Sequence, residues 1–230
     1  MVIDVSSHQG SIDWHKVRAA GVTTAIIKAT QTGVAIRDAD RHFVRINPIG
    51  NYRDERFSAN QAGARQTMRR VGYYHYMHPD GGASLESQAQ YFLDTVGPLQ
   101  FNEFTVLDTE RRDLPASVVI PAMTRWFAYV QARTGKTPWL YTSPSLAKQY
   151  KYGSYFANHP LWLAHYTTGK PIIPAGWSNY TLWQYTSSGR VDGIDGRVDL
   201  NREGSLNIAP LLAVGAAWMA WTVYASTKGR

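Results

Sequence analysis

The chain contains no cysteine, which excludes disulfide bonds and thiolate metal sites but leaves the cellular compartment open. Acidic residues are also scarce, with 17 Asp and Glu against 24 Lys and Arg and a formal net charge of +7. A basic surface favours polyanions such as nucleic acid, anionic lipid or a bacterial wall. The basic residues are scattered rather than clustered, so nucleic acid is not expected as a partner. Repeats and low-complexity linkers are absent, and no signal peptide precedes the first predicted strand.

Hydrophobic residues make up 44% of the 230 positions, enough for a substantial core in one large domain. Strand-like and helix-like segments alternate through the first half, and three further strands then follow with little helix between them. This order predicts an α/β fold, an eight-stranded barrel with an irregular second half. Strands are predicted at residues 2–5, 24–30, 71–76, 105–109, 138–141, 161–165, 181–185 and 197–200, and helices at 14–20, 59–70, 85–96 and 118–133.

Four acidic residues lie at the ends of these predicted strands: Asp4, Asp108, Glu110 and Asp199. If the strands form one barrel, the four carboxyls converge at one mouth. Asp108 and Glu110 share a face of an extended strand, with Cα atoms ~6.5 Å apart, and their repulsion raises at least one pKa. Glycosidic bond cleavage needs such a site, because one carboxyl donates a proton while others stabilise positive charge on the sugar. The alternative is a solvated pair that is neutralised by Arg111–Arg112.

Seven short motifs follow one another between residues 2 and 203. The first combines DVS, QG and IDW within residues 4–14. The other six are IIKAT at 26–30, GYYHY at 72–76, LDTE at 107–110, LWLAHY at 161–166, WQY at 183–185 and VDLN at 198–201. Each motif is modest alone, but the series resembles glycoside hydrolase family 25. These are the Chalaropsis-type lysozymes, or N-acetylmuramidases, which are common among phage endolysins.

The resemblance implies a TIM-like (β/α)5β3 barrel that hydrolyses the β-1,4 bond between N-acetylmuramic acid and N-acetylglucosamine in peptidoglycan. Carried over by position, Glu110 is the general acid, and Asp4, Asp108 and Asp199 line the cleft. One of these carboxylates is a nucleophile, or the acetamido oxygen of the substrate attacks while a carboxylate orients it; we favour the second route, with Asp108 as the orienting group. No metal or other cofactor is expected. The predicted sugar contacts are Tyr74, Tyr76, Tyr141, Trp162, Tyr166 and Trp183, although most aromatic residues in any chain belong to the core.

The sequence departs from the family pattern at three places. Gln31 stands where the family often carries Glu, and Glu203 stands where an aromatic or apolar residue is usual. Residues 34–51 form a longer and more basic stretch than expected, which we interpret as an inserted loop that touches the anionic wall or is simply solvated. None of these departures removes a proposed catalytic carboxylate. The intact carboxylates favour an enzyme. The alternative function is a catalytically silent peptidoglycan-binding or structural virion protein on the same barrel.

The last segment differs from the rest of the chain in composition. Ser205 to Thr227 contains no charged side chain. As a helix of about 23 residues it would span ~34 Å, enough to cross a bilayer. Lys228 and Arg230 follow a cluster of aromatic residues, as in interfacial anchors. We therefore predict a catalytic barrel at residues 1–204 and a membrane anchor at 205–230, with docking on a hydrophobic protein partner as the alternative. We predict that the protein is phage-encoded, that it lies in a virion or at the host inner membrane, and that it acts on the bacterial cell wall.

Overall fold

The computed structural model describes residues 1–37 and 43–204, together with their side chains outside residues 34–49. The elements alternate as strand and helix for five units and end with three strands in succession. In chain order they are β1 (Val2–Val5), α1 (Trp14–Ala19), β2 (Thr24–Arg37), β3 (Phe43–Arg53), α2 (Phe57–Thr67), β4 (Arg70–Tyr76), α3 (Leu85–Val96), β5 (Glu103–Asp108), α4 (Ala116–Thr134), β6 (Trp139–Thr142), α5 (Pro144–Gln149), α6 (Gly153–Phe156), β7 (Leu161–Ala164), β8 (Leu182–Gly189) and β9 (Val198–Glu203).

Eight of the strands close into a barrel. They follow the order β1-β9-β8-β7-β6-β5-β4-β2, and β1 pairs with β2 to close the ring. Within the ring only β9 runs antiparallel to its neighbours, β1 and β8. One mouth of the barrel therefore combines the carboxyl ends of seven strands with the beginning of β9. The predicted (β/α)5β3 barrel is confirmed.

The barrel interior is apolar at its lower end. Its core contains Val2, Ile26, Phe104, Val106, Trp139, Tyr141, Trp162 and Leu182. At the bottom, the guanidinium of Arg70 covers the rings of Phe104 and Trp139, with its Cζ 4.5 and 4.7 Å from their centroids. Gly72 is required here because a Cβ at this position would lie 2.6 Å from Cζ of Phe104. Bulky rings fill the lower barrel, so the open space lies at the mouth.

The helices cover the outside of the barrel through a second apolar layer. Alternation along the strands sends the other set of side chains outward, and Ile27, Tyr73 and Leu107 are fully buried there. Asp13 caps α1 by accepting from the backbone N–H groups of His15 and Lys16, and Ser84 caps α3 in the same way. These contacts hold the strands, and hence their ends at the mouth, in fixed positions.

Residues 34–37 and 43–51 of the inserted segment belong to strands, so the prediction of a loop was wrong for these residues. β2 continues past the barrel to Arg37 and pairs antiparallel with β3, from Thr30 opposite Arg53 to Arg37 opposite Phe43. Residues 34–36 and 43–46 are rich in Val, Ile and Phe, which is a composition typical of strands that the basic charge of the segment obscured. The bend between Thr32 and Val34 falls at Gly33, whose φ of 70° suits glycine. The hairpin therefore extends β2 beyond the barrel mouth.

No helix within residues 1–37 and 43–204 combines the length and the apolarity that crossing a bilayer requires. The predicted C-terminal helix at 205–230 lies outside the described residues.

Candidate active site

The mouth of the barrel brings the four predicted carboxyls together around one cavity. Asp4 stands near the end of β1, Asp108 ends β5, Glu110 follows it, and Asp199 lies at the beginning of β9. The cavity has a volume of about 250 Å³. It is lined by Asp4, Ser6, His8, Lys28, Tyr74, Tyr76, Asp108, Glu110, Tyr141, Trp162, Gln184 and Asp199.

Asp4 and Asp199 form the first carboxyl pair. They are directly opposite each other in the antiparallel ladder of β1 and β9. Burial, followed by the negative charge of Asp199, raises the pKa of Asp4 well above its usual range. Burial also raises the pKa of Asp199, while a hydrogen bond from Asp4 lowers it. When the pair holds one proton, this hydrogen bond favours the proton on Asp4 and the negative charge on Asp199.

Gln184 and Asn201 hold this pair in place. Nε2 of Gln184 donates to both oxygens of Asp4 at 3.2 and 3.1 Å and to Oδ2 of Asp199 at 3.3 Å. The hydroxyls of Tyr141 and Tyr166 donate to Oε1 of Gln184 at 2.9 and 2.8 Å. Since two hydroxyl donors fix the amide oxygen, the amide nitrogen must face the carboxylates.

A second chain of hydrogen bonds connects Trp162 to Asp4 through Asn201. Nε1 of Trp162 donates to Oδ1 of Asn201 at 2.6 Å, and Nδ2 of Asn201 donates to Oδ2 of Asp4 at 2.8 Å. Trp162 is only 2% exposed, so its ring supports the site from below rather than offering an open face to a ligand. Asp4 is consequently fixed by two amide side chains that are themselves fixed by aromatic residues.

Asp108 and Glu110 form the second carboxyl pair. Burial, followed by the charge of Glu110, raises the pKa of Asp108 well above its usual range, while the positive charge of Lys28 lowers it. Oδ1 of Asp108 is buried and has no hydrogen-bond partner in the part of the chain that the structure describes. A buried polar atom left unsatisfied is costly. Asp108 lines the cavity, so its carboxyl is available to a polar group of a ligand.

Glu110 lies at the outer edge of the cavity. Its side chain is partly exposed to solvent, and its Oε2 accepts from the hydroxyl of Tyr76 at 3.2 Å. Partial removal from water raises the pKa of Glu110, whereas the Tyr76 hydrogen bond and the charge of Lys28 lower it. The raised pKa keeps a proton available on an accessible carboxyl, as a general acid requires.

The arginines that follow Glu110 do not neutralise the carboxyl pair. Arg111 makes ion pairs of 2.6 Å with Asp80 and with Asp113, both outside the cavity. The charge of Arg112 lowers the pKa of Glu110, but this effect is smaller than those of the Tyr76 hydrogen bond and of Lys28. The interpretation of Asp108 and Glu110 as a solvated, arginine-paired motif is therefore wrong.

The structure brings five of the six predicted aromatic contacts to the mouth. Tyr74, Tyr76, Tyr141 and Trp162 line the catalytic cavity, and Tyr166 lines a neighbouring groove. Trp183 lines neither cavity. It follows Leu182 and precedes Gln184, which both face into the barrel, so alternation turns its ring outward. There Trp183 donates through Nε1 to the carbonyl of His165 at 2.7 Å.

Lys28 is the cation of this site. Its Nζ lies 5.2 Å from the ring centroid of Tyr76 and donates to Oε1 of Gln31, whose own Nε2 donates to the carbonyl of Gly33. Burial lowers the pKa of Lys28, while Asp108 contributes the largest opposing effect. Gln31 thus binds Lys28 as a neutral acceptor, which leaves the positive charge of Lys28 to the carboxyls of the cavity.

Lys28, Gln184 and Asn201 are among the residues of the site that were not predicted from the sequence. Each lies within a motif on which the resemblance was based, IIKAT, WQY and VDLN respectively. The signal that could have identified them is their polarity. Each is a polar residue two positions from a residue of the apolar interior or from a carboxylate, and therefore on the same face of its strand.

His75, which could have been a metal ligand, faces away from the cavity. Its Nδ1 lies 2.7 Å from Oγ1 of Thr30, and its Nε2 lies 3.1 Å from Oε1 of Gln88. Burial lowers the pKa of His75 to about 4, so the ring is neutral and both nitrogens are used in the core.

Comparison with known proteins agrees with this geometry. The sequence profile of glycosyl hydrolases family 25 matches residues 3–42 and 42–194. Lysozyme M1 of Streptomyces globisporus is 33% identical over 87% of the chain and 66% of that protein. The lysozyme of Streptococcus phage Cp-7 is 28% identical over 82% of the chain and 51% of that protein. The chain thus spans about two thirds, or less, of these relatives.

The fold matches solved structures equally well. The crystal structure of the bacterial lysozyme from Streptomyces coelicolor superimposes with a TM-score of 0.75 and 32% sequence identity. The alignment covers 89% of this chain and 92% of that one. The whole barrel, and not a fragment of it, is therefore shared.

Proposed function

The chain belongs to family 25 of the glycosyl hydrolases, and from this membership we propose that it is a muramidase. It hydrolyses the β-1,4 bond between N-acetylmuramic acid and N-acetylglucosamine in peptidoglycan. The observation that carries the proposal is the convergence of four carboxyls with raised pKa values on one open cavity. Carboxyls with perturbed pKa values in a cleft are typical of catalytic sites.

Glu110 is the general acid in this proposal. It transfers its proton to the glycosidic oxygen as the bond from that oxygen to the anomeric carbon breaks, and the leaving sugar departs as an alcohol. The acetamido oxygen of the muramic acid residue attacks the anomeric carbon and forms a cyclic oxazolinium ion. Glu110, now a carboxylate, removes a proton from the water that opens this ring. Its position at the solvent edge of the cavity supports both proton transfers.

Asp108 orients the acetamido group in the same proposal. Its carboxyl, which lines the cavity, accepts a hydrogen bond from the acetamido N–H, and this leaves the acetamido oxygen free to attack. Burial and the charge of Glu110 raise the pKa of Asp108, whereas Lys28 lowers it and favours the charged form. In this proposal Asp108 is ionised while Glu110 carries the proton. Asp199, held by Gln184 and Asp4, places a further negative charge near the positive anomeric centre.

Product analysis tests the proposed reaction. Digested peptidoglycan is reduced with borohydride, which converts only the newly formed reducing-end sugar to its alcohol, and the fragments are identified by mass spectrometry. We expect the alcohol of N-acetylmuramic acid. The alcohol of N-acetylglucosamine would assign the other glycosidic bond, and no new alcohol would favour the alternative of a catalytically silent peptidoglycan-binding protein.

Tyr76 provides a prediction about pH. Its hydroxyl is the largest influence that lowers the pKa of Glu110, so Tyr76→Phe should raise that pKa. A general acid is active only while protonated, so activity falls as pH rises through its pKa. The basic limb of the kcat/KM profile should therefore move to higher pH in the variant. An unmoved limb in Tyr76→Phe, with folding intact by circular dichroism, would assign the limb to another group.

We also propose that the protein is a phage lysin whose residues 205–230 anchor it to a membrane. The phage proposal is supported by the similarity to a phage lysozyme. The anchor proposal is supported by the uncharged stretch from Ser205 to Thr227 followed by Lys228 and Arg230.

Fractionation of expressing cells tests the anchor. The full chain should sediment with membranes, whereas a chain ending at Gly204 should remain in the supernatant and keep its lytic activity. As a control of equal length, Leu212→Lys with Ala216→Lys places two charges in the apolar stretch and should also release the protein. Full-length protein found wholly in the supernatant without detergent would remove the anchor.

A further inference from the structure

A groove leads away from the catalytic cavity along one side of the barrel mouth. Its first part has a volume of about 670 Å³ and shares Glu110 and Tyr141 with the catalytic cavity. Its second part, also about 670 Å³, shares Pro144, Lys148 and Ile172 with the first. A molecule bound at the catalytic carboxyls can therefore continue into this groove without leaving the protein surface.

The groove is positively charged. Arg112 lines its first part, Lys151 its second, and Lys148 lines both. Glu110, at the catalytic end, is the only acidic residue among the side chains that line the two parts. None of the three cations makes an ion pair with a carboxylate in the described portion of the chain. Their charges are thus available to an anionic ligand, and the Lys148 and Lys151 side chains are both exposed.

The far end of the groove has a fixed shape. Gly153, at the beginning of α6, lies so close to the loop at residues 174–176 that a Cβ would be 1.8 Å from the carbonyl oxygen of Ala175. Lys151, two residues earlier, has a positive φ of 52°, which is uncommon for a residue with a side chain. Such conformations persist where the surrounding structure imposes them, often at binding sites. The close backbone contact therefore fixes the course of the main chain at the far end of the groove, next to Lys151.

We propose that this groove binds the peptide stem that is attached to the muramic acid residue of the substrate. The inference rests on the proposed muramidase function. In stem-bearing glycan the lactyl carboxyl of muramic acid is an amide and the sugars carry no charge, whereas the attached stem carries carboxylates. A stem attached to a sugar in the catalytic cavity is thereby held next to the groove, where Lys148 and Lys151 attract its carboxylates. The groove would make cleavage faster on glycan that still carries its stems.

Two substrates made from one preparation of glycan test the proposal. One is soluble peptidoglycan strands with their stems, and the other is the same strands after an amidase has removed the stems. Removal also frees the lactyl carboxylate, which the amide bond to the stem had neutralised, so the stripped strands carry their negative charge on the sugar and none further along a stem. The quantity measured is the ratio of kcat/KM for stem-bearing strands to kcat/KM for stripped strands, from the release of reducing ends. We expect this ratio to exceed one for the unmodified protein.

The double variant Lys148→Gln with Lys151→Gln should lower the ratio by about three- to tenfold, as expected for the loss of two exposed charge pairs. Lys148→Glu with Lys151→Glu should lower it further. Lys16→Gln with Arg125→Gln removes the same charge from exposed positions outside the groove and should leave the ratio unchanged. Circular dichroism confirms that each variant is folded.

The outcomes separate the two proposals. If the unmodified protein cleaves both substrates and the Lys148 and Lys151 variants keep its ratio, the stem proposal is overturned while the muramidase remains. An equal fall in the control variant would show a general effect of net charge and would also overturn the stem proposal. If the unmodified protein cleaves neither substrate, the muramidase function itself fails.

Discussion

Glu110→Gln is expected to lower kcat for peptidoglycan hydrolysis by about 10³-fold, within the range that a general acid contributes. Glutamine keeps the size and the hydrogen-bonding capacity of the side chain but has no proton to give to the leaving oxygen. Its amide oxygen can still accept from the Tyr76 hydroxyl. The loss should therefore appear in kcat, with KM changed by no more than about twofold.

The measurement is the release of reducing ends from purified peptidoglycan. Glu203→Gln is the matched control, because Glu203 is an exposed carboxylate at the opposite end of the barrel, opposite Leu182 in the ladder. The control should keep full activity. Equal rates for Glu110→Gln and the unmodified protein would remove Glu110 from the acid role.

Asp108→Asn is expected to lower kcat by about 10²–10³-fold without lowering stability. Asparagine retains one acceptor oxygen but loses the negative charge that strengthens the hydrogen bond to the acetamido N–H. The carboxylate it replaces is buried, and its Oδ1 is unpartnered, so at neutral pH the charged form costs the folded state free energy. Catalytic residues that reduce stability in this way are common.

The sign of the stability effect follows from the raised pKa of Asp108. A carboxyl with a higher pKa when folded binds its proton more tightly in the folded state. Its stabilising contribution is present below the unfolded pKa of about 3.9 and is lost as pH rises towards the folded value. The melting temperature of Asp108→Asn, relative to the unmodified protein, should therefore be higher at neutral pH than at about pH 3.

Thermal melts at the two pH values, alongside the reducing-end assay, check this prediction. Loss of activity with a clear fall in melting temperature at neutral pH would indicate that Asp108 has a structural role instead. Retained activity would contradict the orienting role.

Much of the barrel could be predicted from the sequence because its elements have local signals. α3 was predicted with the bounds that it has, since Ser84 provides a cap and Gly97 a stop. α2 was predicted at residues 59–70 but spans Phe57–Thr67. No glycine or proline marks its end, and Met68 leaves the helix because β4 begins two residues later.

The site was only partly predictable because, in a strand that is buried on both faces, the sequence does not show which residues point into the barrel and which point outward. Leu182, Trp183 and Gln184 are exposed by only 2%, 6% and 2%, so burial alone does not tell which of them points into the barrel. The aromatic Trp183 was predicted to contact sugar, whereas Gln184 is the residue that faces the cavity. Only the position of the strand in the closed sheet resolves this choice.

Asp199 shows a related limit. The sequence placed it in a short strand, but strand direction depends on connections that span the whole barrel. β9 runs antiparallel to β1, which sets Asp199 directly opposite Asp4 and forms the proton-sharing pair. Carboxylates could thus be predicted as a group, while their pairing could not, because pairing depends on the register between strands almost 200 residues apart.

Titration of the side-chain carboxyls by ¹³C NMR tests most directly whether the four groups act as one cluster. We expect Asp4 and Asp108 to keep their protons well above the ordinary carboxyl range near pH 4. We also expect Glu110→Gln to lower the pKa of Asp108, because the variant removes the neighbouring negative charge. Four carboxyls that titrate independently near pH 4, with Asp108 unaffected by the loss of Glu110, would contradict their convergence on one catalytic cavity.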